Sequence, residues 1–207
     1  MKLFLSSQAI SPEQAPHLIK LVGKPAKNIK IAVIENAADV EEGPKAWLIR
    51  NRQMIESHGF NVEYVDLRKY ARDLGALRTK LANKDVVWFG GGNTFYLRWL
   101  LRDTGIENII KDLVKNGKVY GGGSAGAIIA GPTLHYFEAA DDPKVSPGVI
   151  YEGLSLTGKV VVPHADNARY AAITQGINDK LKADGYRTVL LTDVQALVVD
   201  GNEERVI

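Results

Sequence analysis

Residues 119–131 read Val119-Tyr-Gly-Gly-Gly-Ser-Ala-Gly-Ala-Ile-Ile-Ala-Gly131, a strand-like start that runs through glycines around one hydroxyl, Ser124, into a small apolar helix. Two readings of these letters compete. Gly122-Gly123-Ser124-Ala125-Gly126 fits GxSxG, the strained strand-to-helix turn that exposes a nucleophilic serine. Gly121, Gly123 and Gly126 fit GxGxxG, a dinucleotide cradle. The cradle needs an acid closing the next strand about 20 residues on. Asp141 has that offset, but it falls in HYFEAADDPKVSPG, a polar stretch with prolines rather than a strand end. A simple helix N-cap would suit Ser124 too, yet capping asks for no glycines on either side. The nucleophile reading is favoured.

Outward from this turn, short apolar runs alternate with longer amphipathic stretches, the pattern of parallel strands joined by crossover helices. Strands are expected at KLFLSS, 29–36, 61–67, 85–91, 118–123, 159–164 and 187–192, and helices at 43–58, 94–102, 105–116, 125–131 and 167–184. Asp200-Gly201, between two extended pieces at the tail, is a hairpin signal. No repeat or composition shift divides the 207 residues, so residues 1–207 are expected to form one α/β domain with a mostly parallel sheet. In such sheets the functional loops lie at the carboxyl ends of the strands. Ser124, the Gly90–Thr94 run and His164 each follow an expected strand, so they should share one edge.

Composition narrows the chemistry. Lys plus Arg number 26 against 24 Asp plus Glu, a formal charge of +2 with the basic residues scattered, which argues against nucleic acid as a partner. Cysteine is absent; disulfides, a thiol nucleophile and thiolate metal sites are therefore ruled out. No three ligands fall at metal spacing, and no metal or other cofactor is expected. The start MKLFLSSQAI reads as a first strand rather than a secretory signal, and no run approaches a membrane span. A cytoplasmic protein, monomer or homodimer, acting on a small molecule is the expectation.

Gly90-Gly91-Gly92-Asn93-Thr94 is a strand-to-helix turn that Asn93 or Thr94 can cap. Its glycines also leave backbone N–H groups open at a helix N-terminus. Beside a serine nucleophile they become an oxyanion hole, with one donor from Gly92 and the other from Ala125. Of the four histidines, His17 and His58 suit structural positions, and His164, ending KVVVPH, is the expected general base, with His135, just beyond the elbow helix, the lesser candidate. The acid that orients it stays open between Glu138, Asp141 and Asp142 in the loop before His164 and Asp193 after the last parallel strand. An esterase of the α/β-hydrolase type and a non-catalytic anion- or nucleotide-binding domain are the alternatives. The esterase fits less well, because about 40 residues with two extended regions follow His164, where that fold places its histidine near the end.

GGGNTF at 90–95, GGSAGA at 122–127, Pro132-Thr133 and Pro163-His164, in this order, resemble the peptidase E family of aspartyl dipeptidases, related to cyanophycinase. The resemblance implies a three-layer, flavodoxin-like sheet similar to class I glutamine amidotransferases, with serine in place of their cysteine on the nucleophile elbow. It implies a serine peptidase that cleaves short peptides after aspartate. Ser124 then matches the nucleophile, His164 the base, and Gly92 and Ala125 the oxyanion donors. Asp141 or Asp142 matches the family acid only if an insertion is assumed, and Asp193 resembles a second family acid. Asn93, Thr94 and Arg169 are the candidates for substrate binding, Arg169 for the substrate aspartate. Residue 165 is alanine where the family often has an aromatic.

Overall fold

Alternation along the central strands sorts the apolar side chains into two cores. In β1 (Lys2–Ser6), Leu3 and Leu5 face one core and Phe4 the other; in β4 (Val86–Phe89), Val87 and Phe89 oppose Val86 and Trp88. Successive side chains of a strand point to opposite faces, so a sheet buried on both sides must carry apolar residues at nearly every position. The computed structural model describes residues 1–207 and shows that sheet. It has seven strands in the order β3-β2-β4-β5-β1-β8-β9, with β2 (Lys30–Ile34), β3 (Asn61–Tyr64) and β5 (Val119–Gly123). Pairings from β3 to β1 are parallel, whereas β8 (Ala196–Asp200) and β9 (Glu203–Val206) add antiparallel pairs.

The smaller core packs α1 (Ala15–Val22) and α2 (Ala46–Glu56) on one face through Leu18, Leu21 and Ile55. The larger core packs α3 (Leu74–Ala82), α4 (Thr94–Asp103), α5 (Ile106–Lys115) and the short α6 (Ala125–Ile128) on the other. Each fully buried large apolar side chain contributes about 1.5–3 kcal/mol, so these two cores hold the layers together. No helix is long and apolar enough to cross a membrane.

Every expected strand is present, and the tail forms the expected hairpin through β8 and β9. The sheet departs from expectation in one respect. β6 (Lys159–Val162) and β7 (Arg187–Leu190) pair in parallel with each other as a separate two-stranded sheet, with α7 (Ala171–Ala183) between them in the chain. The reason is geometric: β1 has two edges, one taken by β5 and the other by β8. β6 instead buries Val160, Val161 and Val162 in the larger core, which also contains α6. Sequence reading also missed α1 and α3.

Candidate active site

Ser124 stands between the end of β5 and the start of α6 with φ 51° and ψ −113°, a region that side chains other than glycine's avoid and that costs about 1–3 kcal/mol. The surrounding sequence makes the turn possible. A Cβ on Gly126 would lie 2.1 Å from the Phe89 carbonyl oxygen, and one on Gly122 would lie 2.4 Å from the Gly126 carbonyl. Residues with side chains could not bring β4, β5 and α6 so close. Gly121, Gly122 and Gly123 therefore lie buried inside the strand, packed on their neighbours rather than opened as a phosphate cradle.

The strain directs the Ser124 hydroxyl outward. Its Oγ lies 2.9 Å from Nε2 of His164, and Nδ1 of the same ring lies 2.6 Å from Oδ1 of Asp193. His164 follows β6 by two residues and has φ 68°; its backbone N–H donates to the Ser7 hydroxyl at 2.8 Å, which helps to fix the bend. Ser7 is wholly buried and lies 3.4 Å from Asp193 Oδ1. Asn167 donates from Nδ2 to the other carboxylate oxygen of Asp193 at 2.8 Å, and Asp193 N donates to Asp166 at 2.7 Å. Burial pushes the Asp193 carboxyl up, but hydrogen bonds from Asn167 and His164 outweigh it and hold the group below the usual carboxylate range. An ionised acid thus faces the imidazole.

The other expected acids are corrected. Asp141 Oδ2 accepts the Thr94 backbone N–H at 2.9 Å, and Asp142 caps a short turn by accepting from Lys144 N. Neither is hydrogen-bonded to the His164 ring, whose partners are Ser124 and Asp193, and Glu138 is exposed. Of the candidates left open by the sequence, it is Asp193 that β7 carries to the histidine, because β6 and β7 are paired.

Gly91 packs beside the serine: a Cβ there would lie 3.3 Å from Ser124 Cβ. The next residue, Gly92, has φ 129°, and a Cβ would lie 2.3 Å from the Ala37 carbonyl, so only glycine fits. Its N–H donates to no backbone carbonyl, and that of Ala125 opens α6, ahead of any intrahelical partner. Asn93, expected at the substrate, is 3% exposed and spent on the fold: Oδ1 caps α4 at Tyr96 N, and Nδ2 donates to the Asp142 carbonyl. Thr94 is buried as well.

A cleft of about 490 Å³ contains Ser124, His164 and Asp141, with Arg169 at its margin. The Arg169 guanidinium sits 5.1 Å over the Tyr170 ring. Sequence reading missed the opposite wall, where α2 supplies Trp47, Leu48 and Arg50. It also missed Ser7 and Asn167, which no motif marks. The remaining histidines stand elsewhere: His58 Nε2 lies 2.7 Å from the Ile10 carbonyl, and His135 stacks on Tyr151.

A serine, an imidazole and a carboxylate in hydrogen-bonded sequence at the rim of an α/β sheet define the class of serine hydrolases. The chain belongs to peptidase family S51, whose model matches residues 3–207, and it is a serine peptidase. It is 34% identical over 148 residues, 71% of each chain, to an uncharacterised peptidase of Listeria monocytogenes. It is 27% identical to peptidase E of Salmonella typhi over 96% of this chain and 82% of that one. Among solved structures it resembles a protein provisionally described as a peptidase E from Listeria monocytogenes EGD-e, with TM-score 0.84 and 28% identity, covering 100% of this chain and 97% of that one.

Proposed function

We propose that this peptidase hydrolyses short peptides, Asp-X dipeptides foremost, through an acyl-enzyme on Ser124. The observation that carries the reading is the unbroken line from Ser124 Oγ through both ring nitrogens of His164 to Asp193. His164 Nε2 takes the hydroxyl proton as Oγ bonds to the scissile carbonyl carbon. The Gly92 and Ala125 N–H groups stabilise the oxyanion. Collapse breaks the C–N bond, and His164 returns its proton to the leaving amine. Water then adds to the acyl carbon with the same histidine as base, releasing the acid and restoring Ser124. Asp193 holds the ring in the tautomer with its proton on Nδ1 and stabilises the imidazolium.

In this reading the Ser124 turn is a nucleophile elbow on a flavodoxin-like sheet, and Arg169, exposed and in no ion pair, holds the substrate aspartate. Membership of family S51 and the likeness to named peptidase E proteins support the substrate class. The test is turnover of Asp-X dipeptides beside p-nitrophenyl esters, with fluorophosphonate labelling of the serine. Labelling and dipeptide cleavage, both lost in Ser124→Ala, are expected. A Ser124→Ala protein that still cleaves, or a wild-type protein that hydrolyses esters and no dipeptide, overturns the reading.

A further inference from the structure

Asp141 lines the cleft half-buried and takes no part in the relay. Its side chain has one hydrogen bond, at Oδ2 from the Thr94 N–H, and no cationic side chain pairs with it. Oδ1 is left without a partner. The Thr94 hydroxyl, on the same residue that holds Oδ2, is buried with no hydrogen bond. Desolvation raises this carboxyl above the usual range and the nearby Glu41 adds to the effect, while the Thr94 N–H and the charge of His164 oppose it. Glu41 lines the same cleft and forms no ion pair. The cleft's unpaired cations, Arg50 and Arg169, are exposed. The inner cleft therefore offers uncompensated negative charge and the margin positive charge.

The position of that charge is fixed. Asn93 Nδ2 donates to the Asp142 carbonyl at 2.9 Å, and Thr94 N donates to Asp141. Both bonds fasten residues 141 and 142 to the Gly90–Thr94 loop, the loop that packs against Ser124 through Gly91. A peptide whose scissile carbonyl points at Gly92 carries its α-amino nitrogen on the adjoining carbon. That nitrogen is cationic at neutral pH when the peptide end is free.

We propose that Asp141 is the residue that anchors the free α-ammonium of the dipeptide substrate. The assignment rests on the serine peptidase reading above and adds a recognition residue to it. Asp-Leu and its deamino counterpart, succinyl-leucine, differ by that one ammonium and share every other group. Wild-type enzyme should favour Asp-Leu in kcat/KM by about 10-fold to 100-fold, the range of a hydrogen bond to a charged partner. In Asp141→Asn, which keeps the acceptor for Thr94 N, the ratio should fall towards one. Fluorophosphonate labelling of Ser124, which needs no ammonium, reports that the variant is folded and its relay intact. A wild-type ratio near one, or a ratio unchanged in Asp141→Asn whatever the absolute rates, overturns the anchor while the peptidase reading stands. Failure of the wild-type enzyme to cleave either compound, with Ser124 unlabelled, overturns both.

Discussion

Asn167 donates to one oxygen of Asp193, and the other lies 2.6 Å from Nδ1 of His164. The carboxylate is thereby held from both sides, which restrains rotation about its terminal bond. Asp193→Asn would present an amide to the ring and favour the wrong tautomer. We expect kcat to fall about 10⁴-fold with KM little changed, as the loss of a tautomer-fixing acid does elsewhere. Asn167→Ala should lower kcat far less, because it frees the carboxylate without removing it. Steady-state kinetics on a dipeptide checks both.

Ser124 carries its function at the expense of its backbone. With φ 51° and ψ −113°, glycine is the residue that relaxes there. Ser124→Gly should be inactive yet more stable than Ser124→Ala by about 1–3 kcal/mol. In a domain of this size that difference is about 2–12 °C in Tm. Parallel thermal melts of the two variants give the answer; equal melting points would mean that the turn stores no strain.

Asp193 and Asp141 should leave opposite marks on stability against pH. Asp193 has a folded pKa below its unfolded value of about 3.9, so its contribution is present above that value and is lost as pH falls through the folded pKa. Asp141 has a folded pKa above its unfolded one, so its charged form destabilises the fold once pH rises through the folded pKa. Asp141→Asn should therefore raise Tm at pH 7, and the gain should vanish towards pH 3. Melts from pH 3 to pH 7 test the sign.

The glycines under the serine should tolerate no methyl group. At Gly126 a Cβ meets the Phe89 carbonyl oxygen at 2.1 Å, and backbone cannot yield as a side-chain tip does. Gly126→Ala should cost about 3 kcal/mol or more, read as a lower urea midpoint. Gly176→Ala is the control: it lies in α7 with nothing within 4 Å of the added carbon, and helix propensity favours it by about 1 kcal/mol.

How far these features were legible differs by element. The central strands were legible because both faces are buried, so KIAVI and VVWF read as continuous apolar runs. The serine turn was legible because close packing left glycine at each contact. α3 escaped because two residues, Leu77 and Leu81, reach its core and Gly75 breaks the pattern. Its start had one signal, Asp73, whose side chain accepts from Ala76 N. α1 escaped for its eight-residue length, although Ala15, Leu18 and Leu21 hold one buried face. His164 was legible from its place after an apolar strand. The choice of Asp193 over Asp141 and Asp142 was not, since it depends on which strands pair, and nothing local to those acids encodes that.

The division into two sheets has a consequence for how activity is lost. Ser124 belongs to the large sheet, while His164 and Asp193 follow the strands of the small one. The proton path crosses a seam sutured by Ser7, which accepts from His164 N, and by Gln14, which donates to the Val194 carbonyl. A slip of about 1 Å along that seam would cost on the order of 100-fold in rate with every helix and strand still formed. In gentle denaturant, catalysis should fade while far-ultraviolet ellipticity is still intact, making turnover a gauge of how firmly the two sheets are docked.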